Sequence, residues 1–146
     1  MLLKNMAAAK TAKNKYDFLF YHNKHLFPIE LKSTKSKSIS FSESMIKEYQ
    51  IKSLTEASKF KGVMPGFIFN FRTSNETFFI PIHKFNEYKN IAENQLEHTY
   101  KSKVNKASIP IAICEEIGVK IEQKLNRTRY FYRIDKLFEE LIHKYE

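Results

Sequence analysis

Tryptophan is missing from this chain, cysteine occurs once, and glycine occurs only three times in 146 residues. The single cysteine, Cys114, excludes an internal disulfide and a cysteine-rich zinc site. It lies in an apolar run and reads as core, not as a nucleophile. The five histidines, His22, His25, His83, His98 and His143, show no HExxH or other paired metal spacing. Neither Gly62 nor Gly66 belongs to a phosphate-cradling loop, which argues against nucleotide-driven chemistry. No apolar run approaches the roughly 20 residues that a membrane helix requires. The apolar start at 2–9 is broken by Lys4 and Asn5 and makes no secretion-signal core. A soluble cytoplasmic protein with no membrane partner is the expectation.

Acidic residues are scarce at the front. Residues 1–42 hold eight lysines against Asp17 and Glu30, a net of +6. Residues 119–133 hold Lys120, Lys124, Arg127, Arg129 and Arg133 against Glu122, a net of +4. The whole chain carries 25 Lys and Arg against 16 Asp and Glu, a formal +9, so the excess sits in two blocks. General overuse of lysine would raise the total; blocks favour a polyanionic partner, most often nucleic acid. Thirteen Phe and eight Tyr within a 42% hydrophobic composition indicate a folded core, with aromatics to spare for stacking on bases. The length suits one domain over 1–146.

Residues 1–15, rich in Ala and Lys, read as a short helix or a loose arm. Strands are predicted at 16–21 (YDFLFY) and 26–32 (LFPIELK) around a polar turn at 22–25. Pro28 places the second at an edge or a bulge. A basic connection over 33–42 leads to a helix over 43–61, with Ile46, Gln50, Leu54 and Ala57 at helical spacing. Ser42 is its expected N-cap and Gly62 its end. Strands at 66–71 and 77–82 flank a turn at 72–76; Phe85, Tyr88, Ala92 and Leu96 mark a second helix, and 98–108 is a linker. The tail reads as a short helix (109–117), two basic strands (119–123 and 128–132) and a helix from about 135 to 145. This order is that of an α+β protein whose mixed sheet is flanked by helices.

Four residues separate the first two strands, so they form an antiparallel hairpin. If Tyr21 faces Leu26, paired residue numbers sum to 47 and Asp17 stands opposite Glu30. Opposed side chains share a face with Cβ atoms about 4.5–5.5 Å apart. Alternation adds Lys32 to that face and turns Ile29 and Leu31 away. Two facing carboxylates repel unless a cation lies between them. Mg²⁺ suits that place, taking one or two carboxylates plus waters and phosphate oxygens. It would activate water and neutralise charge on a phosphodiester, with Lys32 orienting the water or stabilising developing charge. The pattern D-x₁₂-E-x-K is also what a solvated edge hairpin shows, and three residues alone do not separate the two readings.

Their surroundings are more specific. The string IELKS after YDF, the Ser/Lys-rich loop, QIKSLTEASKFKGVMPGFIFNFR, TFFIPI and the tail NRTRYFYRID together resemble the RecU-type Holliday-junction resolvases of Gram-positive bacteria and their phages. The likeness covers residues 14 to about 140. It implies the restriction-endonuclease-like core of the PD-(D/E)xK nuclease superfamily. It also implies an Mg²⁺- or Mn²⁺-dependent endodeoxyribonuclease that cuts four-way junctions in DNA recombination and repair, as a homodimer. By position, Asp17 and Glu30 are similar to the family's metal-binding carboxylates and Lys32 to its catalytic lysine. Gln50 falls where the superfamily often carries a polar residue near the site. Standing on the apolar stripe between Ile46 and Leu54, it is either that residue or a core glutamine satisfied by backbone. These enzymes begin with a longer segment whose helix adds a glutamate, whereas no acidic residue precedes Asp17 here. Their junction-engaging stalk has no evident counterpart. A truncated or replaced first helix would account for this. The alternatives are another phage nuclease of the superfamily and a non-catalytic DNA-binding protein of the same fold.

Lys35 and Lys37 follow the acidic hairpin, and Arg127, Arg129 and Arg133 interleave with Tyr130, Phe131 and Tyr132. The basic side chains suit phosphate contact and Tyr130 suits stacking on an unpaired base; solvated strand faces would read the same way. Replacing Arg127 and Arg129 together by Ala is expected to weaken DNA binding and flatten its salt dependence, because fewer counterions are released. Binding titrations over a series of salt concentrations check this. An unchanged slope of log K against log salt would leave these arginines as surface charge alone.

Overall fold

In this computed structural model the strand Ala7–Ala9 (β1) lies along Phe18–His22 (β2), which turns back into His25–Thr34 (β3). The structure describes residues 7–9, 15–126, 129–132 and 134–145, with 7–9, 123–126 and 129–132 as backbone only. Part of the expected N-terminal helix or arm is therefore an edge strand; residues 1–6 and 10–14 lie outside the described residues. Asn23 and Lys24 have φ of 53° and 63°, the two-residue turn whose twist matches its flanking strands. The hairpin is thus tighter than a four-residue connection. Its register runs from Phe18 opposite Ile29 to Tyr21 opposite Leu26, so the pairs sum to 47.

Pro28 is not on an edge strand, contrary to the expectation. β3 is interior, with β2 on one side and Gly66–Phe71 on the other. Leu26 donates its N–H to Gly62 O on that second side. Pro28, two residues on, has its nitrogen on the same side, ahead of the first pair, Ile29–Gly66. The missing donor therefore falls in a gap of the ladder.

The connection after β3 contains a short strand, Ser38–Ser40 (β4), not only polar loop. The first helix, Glu48–Ala57 (α1), starts later than expected, with Lys47 and not Ser42 at its N-cap. Ser42 O instead closes a separate turn by accepting the N–H groups of Met45 and Ile46, while the Glu43 carboxylate accepts the Glu48 N–H at 3.0 Å. Ser58 is the C-cap, and Gly62 (φ 78°) shapes the following loop. Gly66–Phe71 (β5) and Glu76–Pro81 (β6) precede Ile82–Asn94 (α2). Leu96 does not belong to that helix: Gln95 turns left-handed (φ 51°) and leaves Leu96 exposed. Ser108–Pro110 (β7) pairs with β4, so the last residue of the expected linker and the first two of the expected helix over 109–117 are strand. Ile111–Ile117 (α3), Val119–Lys120 (β8), the hairpin Gln123–Asn126 (β9) with Arg129–Tyr132 (β10), and Ile134–Tyr145 (α4) complete the order.

The main sheet runs β1-β2-β3-β5-β6-β8, with β3 and β5 parallel and the other pairs antiparallel. A parallel pair needs a crossover, and here α1 lies within it. One face carries Phe67, Phe69, Phe71, Phe78 and Ile80 under residues of α1, α2 and α3. The other carries Phe20, Phe27, Ile29 and Phe79 under Leu137, Phe138 and Leu141 of α4. Gly66 sits at a close approach to the neighbouring strand β6. A Cβ there would press on the Ile80 carbonyl and come within 2.6 Å of Phe79 Cζ. Gly66→Ala is expected to cost about 1–3 kcal/mol, read as a lower urea midpoint with an unchanged slope.

Candidate active site

Asp17 stands one residue ahead of β2, and its Oδ2 accepts the Leu31 N–H at 2.9 Å. The side chain so continues the β2–β3 ladder where the β2 backbone leaves it. Opposite, Glu30 is buried at 2% exposure. Its parallel neighbour is Phe67 and that of Lys32 is Phe69, so both lie on the face that α1 covers, while Leu31 turns to the other. Burial lifts the Glu30 carboxyl from 4.5 to about 8. The Asp17 carboxyl, hydrogen-bonded to it, adds to the rise, and the Lys32 charge and the Asp17 N–H oppose it. The Glu30 carboxyl is therefore held well above the usual carboxylate range.

Gln50 joins the helix to the site. Its Nε2 donates to Glu30 Oε2 at 3.1 Å, and its Oε1 accepts the Lys47 N–H at 3.1 Å. The second bond is the return half of a capping box. One amide therefore starts α1 and holds the carboxylate, combining the two roles that the sequence left open. Tyr16, which sequence reasoning did not single out, donates its hydroxyl to Ser53 O at 3.3 Å. Burial, then the charges of Glu56 and Glu30, raise its phenol. Its only sequence signal was its place directly before Asp17. Behind the site, Ser33 Oγ donates to Asn70 Oδ1 (3.1 Å) and Asn70 Nδ2 to Thr77 Oγ1 (2.9 Å), a polar ladder across β3, β5 and β6. A lone Asn in the aromatic string GFIFNF marked it.

Lys35 and Lys37 are exposed beyond β3. Their loop is tied down where Thr73 Oγ1 donates to Lys35 O and Ile111 N to Lys37 O. Arg127 and Arg133 lie outside the described residues, and Arg129 and Tyr130 belong to β10 as backbone only. Cys114 is fully buried on α3, and burial pushes its thiol up. Among the described residues no three His, Cys, Asp or Glu side chains gather as a metal cage. Two apposed carboxyls, one of them buried, fit a hard divalent cation that completes its shell with water and phosphate oxygens.

The sequence matches the RecU family, Recombination protein U, over residues 4–127. The SPbeta prophage-derived uncharacterized protein YotM of Bacillus subtilis is 56% identical over 145 residues, spanning 99% of this chain and 73% of its own length. Among solved structures, the chain is similar to Hjc, a Holliday junction resolvase from the archaeal hyperthermophile Archaeoglobus fulgidus. The TM-score is 0.50 at 13% identity, over 82% of this chain and 89% of the other. At that identity the likeness concerns the fold, which is of the PD-(D/E)xK nuclease type expected from the sequence. A family match along most of the sequence and a close prophage relative lead to one assignment: this chain belongs to the RecU family of recombination proteins.

Proposed function

We propose that this protein is a divalent-metal-dependent endodeoxyribonuclease that cuts branched DNA as a Holliday-junction resolvase. One observation carries the reading: the buried Glu30 carboxyl lies against Asp17, on the same sheet face as Lys32. Asp17 and Glu30 would hold Mg²⁺ or Mn²⁺. When bound, the ion supplies Lewis-acid chemistry, making water more acidic and offsetting charge on the reacting phosphate. Gln50 occupies Glu30 Oε2 and the Leu31 N–H occupies Asp17 Oδ2, so each carboxylate is oriented from behind. Lys32 would orient the attacking water or stabilise negative charge on the phosphate. Lys35, Lys37, Arg127 and Arg129 add phosphate contacts that position the DNA without reading its sequence, and Tyr130 stacks on an unpaired base. A homodimer would let two such centres cut symmetric strands of a junction. No described helix is long and apolar enough to cross a membrane, and the proposed setting is cytoplasmic DNA recombination and repair.

Glu30→Ala is expected to abolish cleavage of a four-way junction in Mg²⁺ while leaving junction binding in chelator largely intact, since affinity comes from phosphate contacts elsewhere. Lys32→Ala should lose most cleavage, at least about tenfold, and still bind metal. Gel assays of cleavage and of binding check both. A wild-type protein that binds junctions and cuts none with Mg²⁺ or Mn²⁺ would instead be a DNA-binding module of this fold.

The raised Glu30 carboxyl also sets a pH dependence. A group protonated more readily in the folded than in the unfolded state contributes stability that is full below about 4.5 and lost as pH rises through about 8. In chelator, stability should therefore decline across that window, and Glu30→Gln should flatten the decline. Mg²⁺ should reduce the loss at the alkaline end. Urea unfolding at stepped pH measures all three, and identical profiles for wild type and Glu30→Gln would remove Glu30 as the cause.

A further inference from the structure

At the opposite end of β3 from Lys32 lies a cavity of about 1010 Å³ that the proposed cleavage centre does not use. The β2–β3 turn, the loop after α1, the β6–α2 junction and the end of α4 enclose it. Phe79, Val63 and Leu141 give it an apolar floor, and Lys24, Lys61 and His83 stand around it. None of the described residues lining it is acidic. Tyr145 also lines it, its ring edge-on against His83 at 5.1 Å between centroids. Next in the chain to the lining residue Lys61, Phe60 is 68% exposed, with Lys59 on its other side. A large aromatic ring held in water and flanked by ammonium groups is a stacking platform with phosphate contacts attached.

We propose that this cavity and Phe60 form a binding site for one unpaired nucleotide, a nucleobase carrying a phosphate, supplied by a strand of branched DNA. The volume lies at the upper end of small-molecule sites, about 300–1,000 Å³. The apolar floor and Phe60 take the base, and Lys24 and Lys61 the phosphate. His25 is five residues from Glu30 along β3, about 17 Å, so this site and the cleavage centre can be filled at once. Selectivity for branched over continuous duplex DNA would then come from capturing a nucleotide at the branch point, where pairs open more readily than within a continuous duplex. The proposal rests on the DNA-cleaving reading above.

Fluorescence anisotropy of the full chain in chelator tests it, with an eight-nucleotide oligothymidylate, a blunt duplex and free thymidine monophosphate as probes. Phe60→Ala, and Lys24→Ala combined with Lys61→Ala, should each weaken oligothymidylate binding about tenfold and duplex binding less than about threefold. All three residues are exposed, so the variants should fold, which circular dichroism verifies. Equal losses on both DNAs, or none on either, overturn the site and leave the cleavage reading standing. If the variants lose thymidine monophosphate but keep oligothymidylate, the ligand is a free nucleotide and the strand version is wrong. If the wild type binds no DNA at all, the cleavage reading fails and takes this site with it.

Discussion

A carboxyl group removed from water needs either a proton or a compensating partner, and much of this structure is arranged around that need at Glu30. Asp17 faces it across the hairpin, Gln50 donates to it from α1, and Tyr16, whose phenol senses its charge, ties the same helix to the start of β2. The bond to Gln50 also settles where α1 starts, since the other end of that amide closes the helix N-terminus. Displacing Glu30 from its face would therefore disturb the site, the crossover helix and the hairpin together.

β3 can serve this purpose because its two faces do different things. Glu30 and Lys32 face α1, whereas Phe27 and Ile29 pack under α4. The apolar face holds the strand in place, and the polar face can then carry charge without being free to turn outward. Phenylalanine supplies most of the packing around it: Phe67 stacks on Phe69 at 5.3 Å between ring centroids, and Phe27 on Phe138 at 4.2 Å. These rings bury large area without a polar atom to satisfy, which suits a core adjoining a site that already contains buried carboxyl and amide groups.

The parts of the fold legible in the sequence are those governed by near neighbours. The hairpin register followed from a short turn and the two-residue period of a strand, and β5 needed only its aromatic run and the glycine that opens it. The start of α1 was misread because Ser42 is a good N-cap by residue type, yet its carbonyl is used by a separate turn and Glu43 caps the helix from outside. Leu96 keeps the helical spacing but falls past the left-handed Gln95. The pairing of Ser38–Ser40 with Ser108–Pro110 had no local signal, since both segments are three residues long and far apart in the chain. Pro28 looked like an edge residue because a gap in the neighbouring ladder is not visible from the strand that faces it.

For the site, the sequence by itself placed two carboxylates and an amine on one face once Tyr21 was paired with Leu26, because side chains alternate along a strand. Family membership, too, was carried by strings of residues readable without coordinates. Only the tertiary structure decided that Glu30 is buried under α1, that Gln50 serves both the helix start and the carboxylate, and that burial raises the Glu30 carboxyl. Those properties depend on a helix 20 residues downstream being laid across the sheet by a parallel crossover. Desolvation comes from everything packed around a group, and the local sequence specifies little of that.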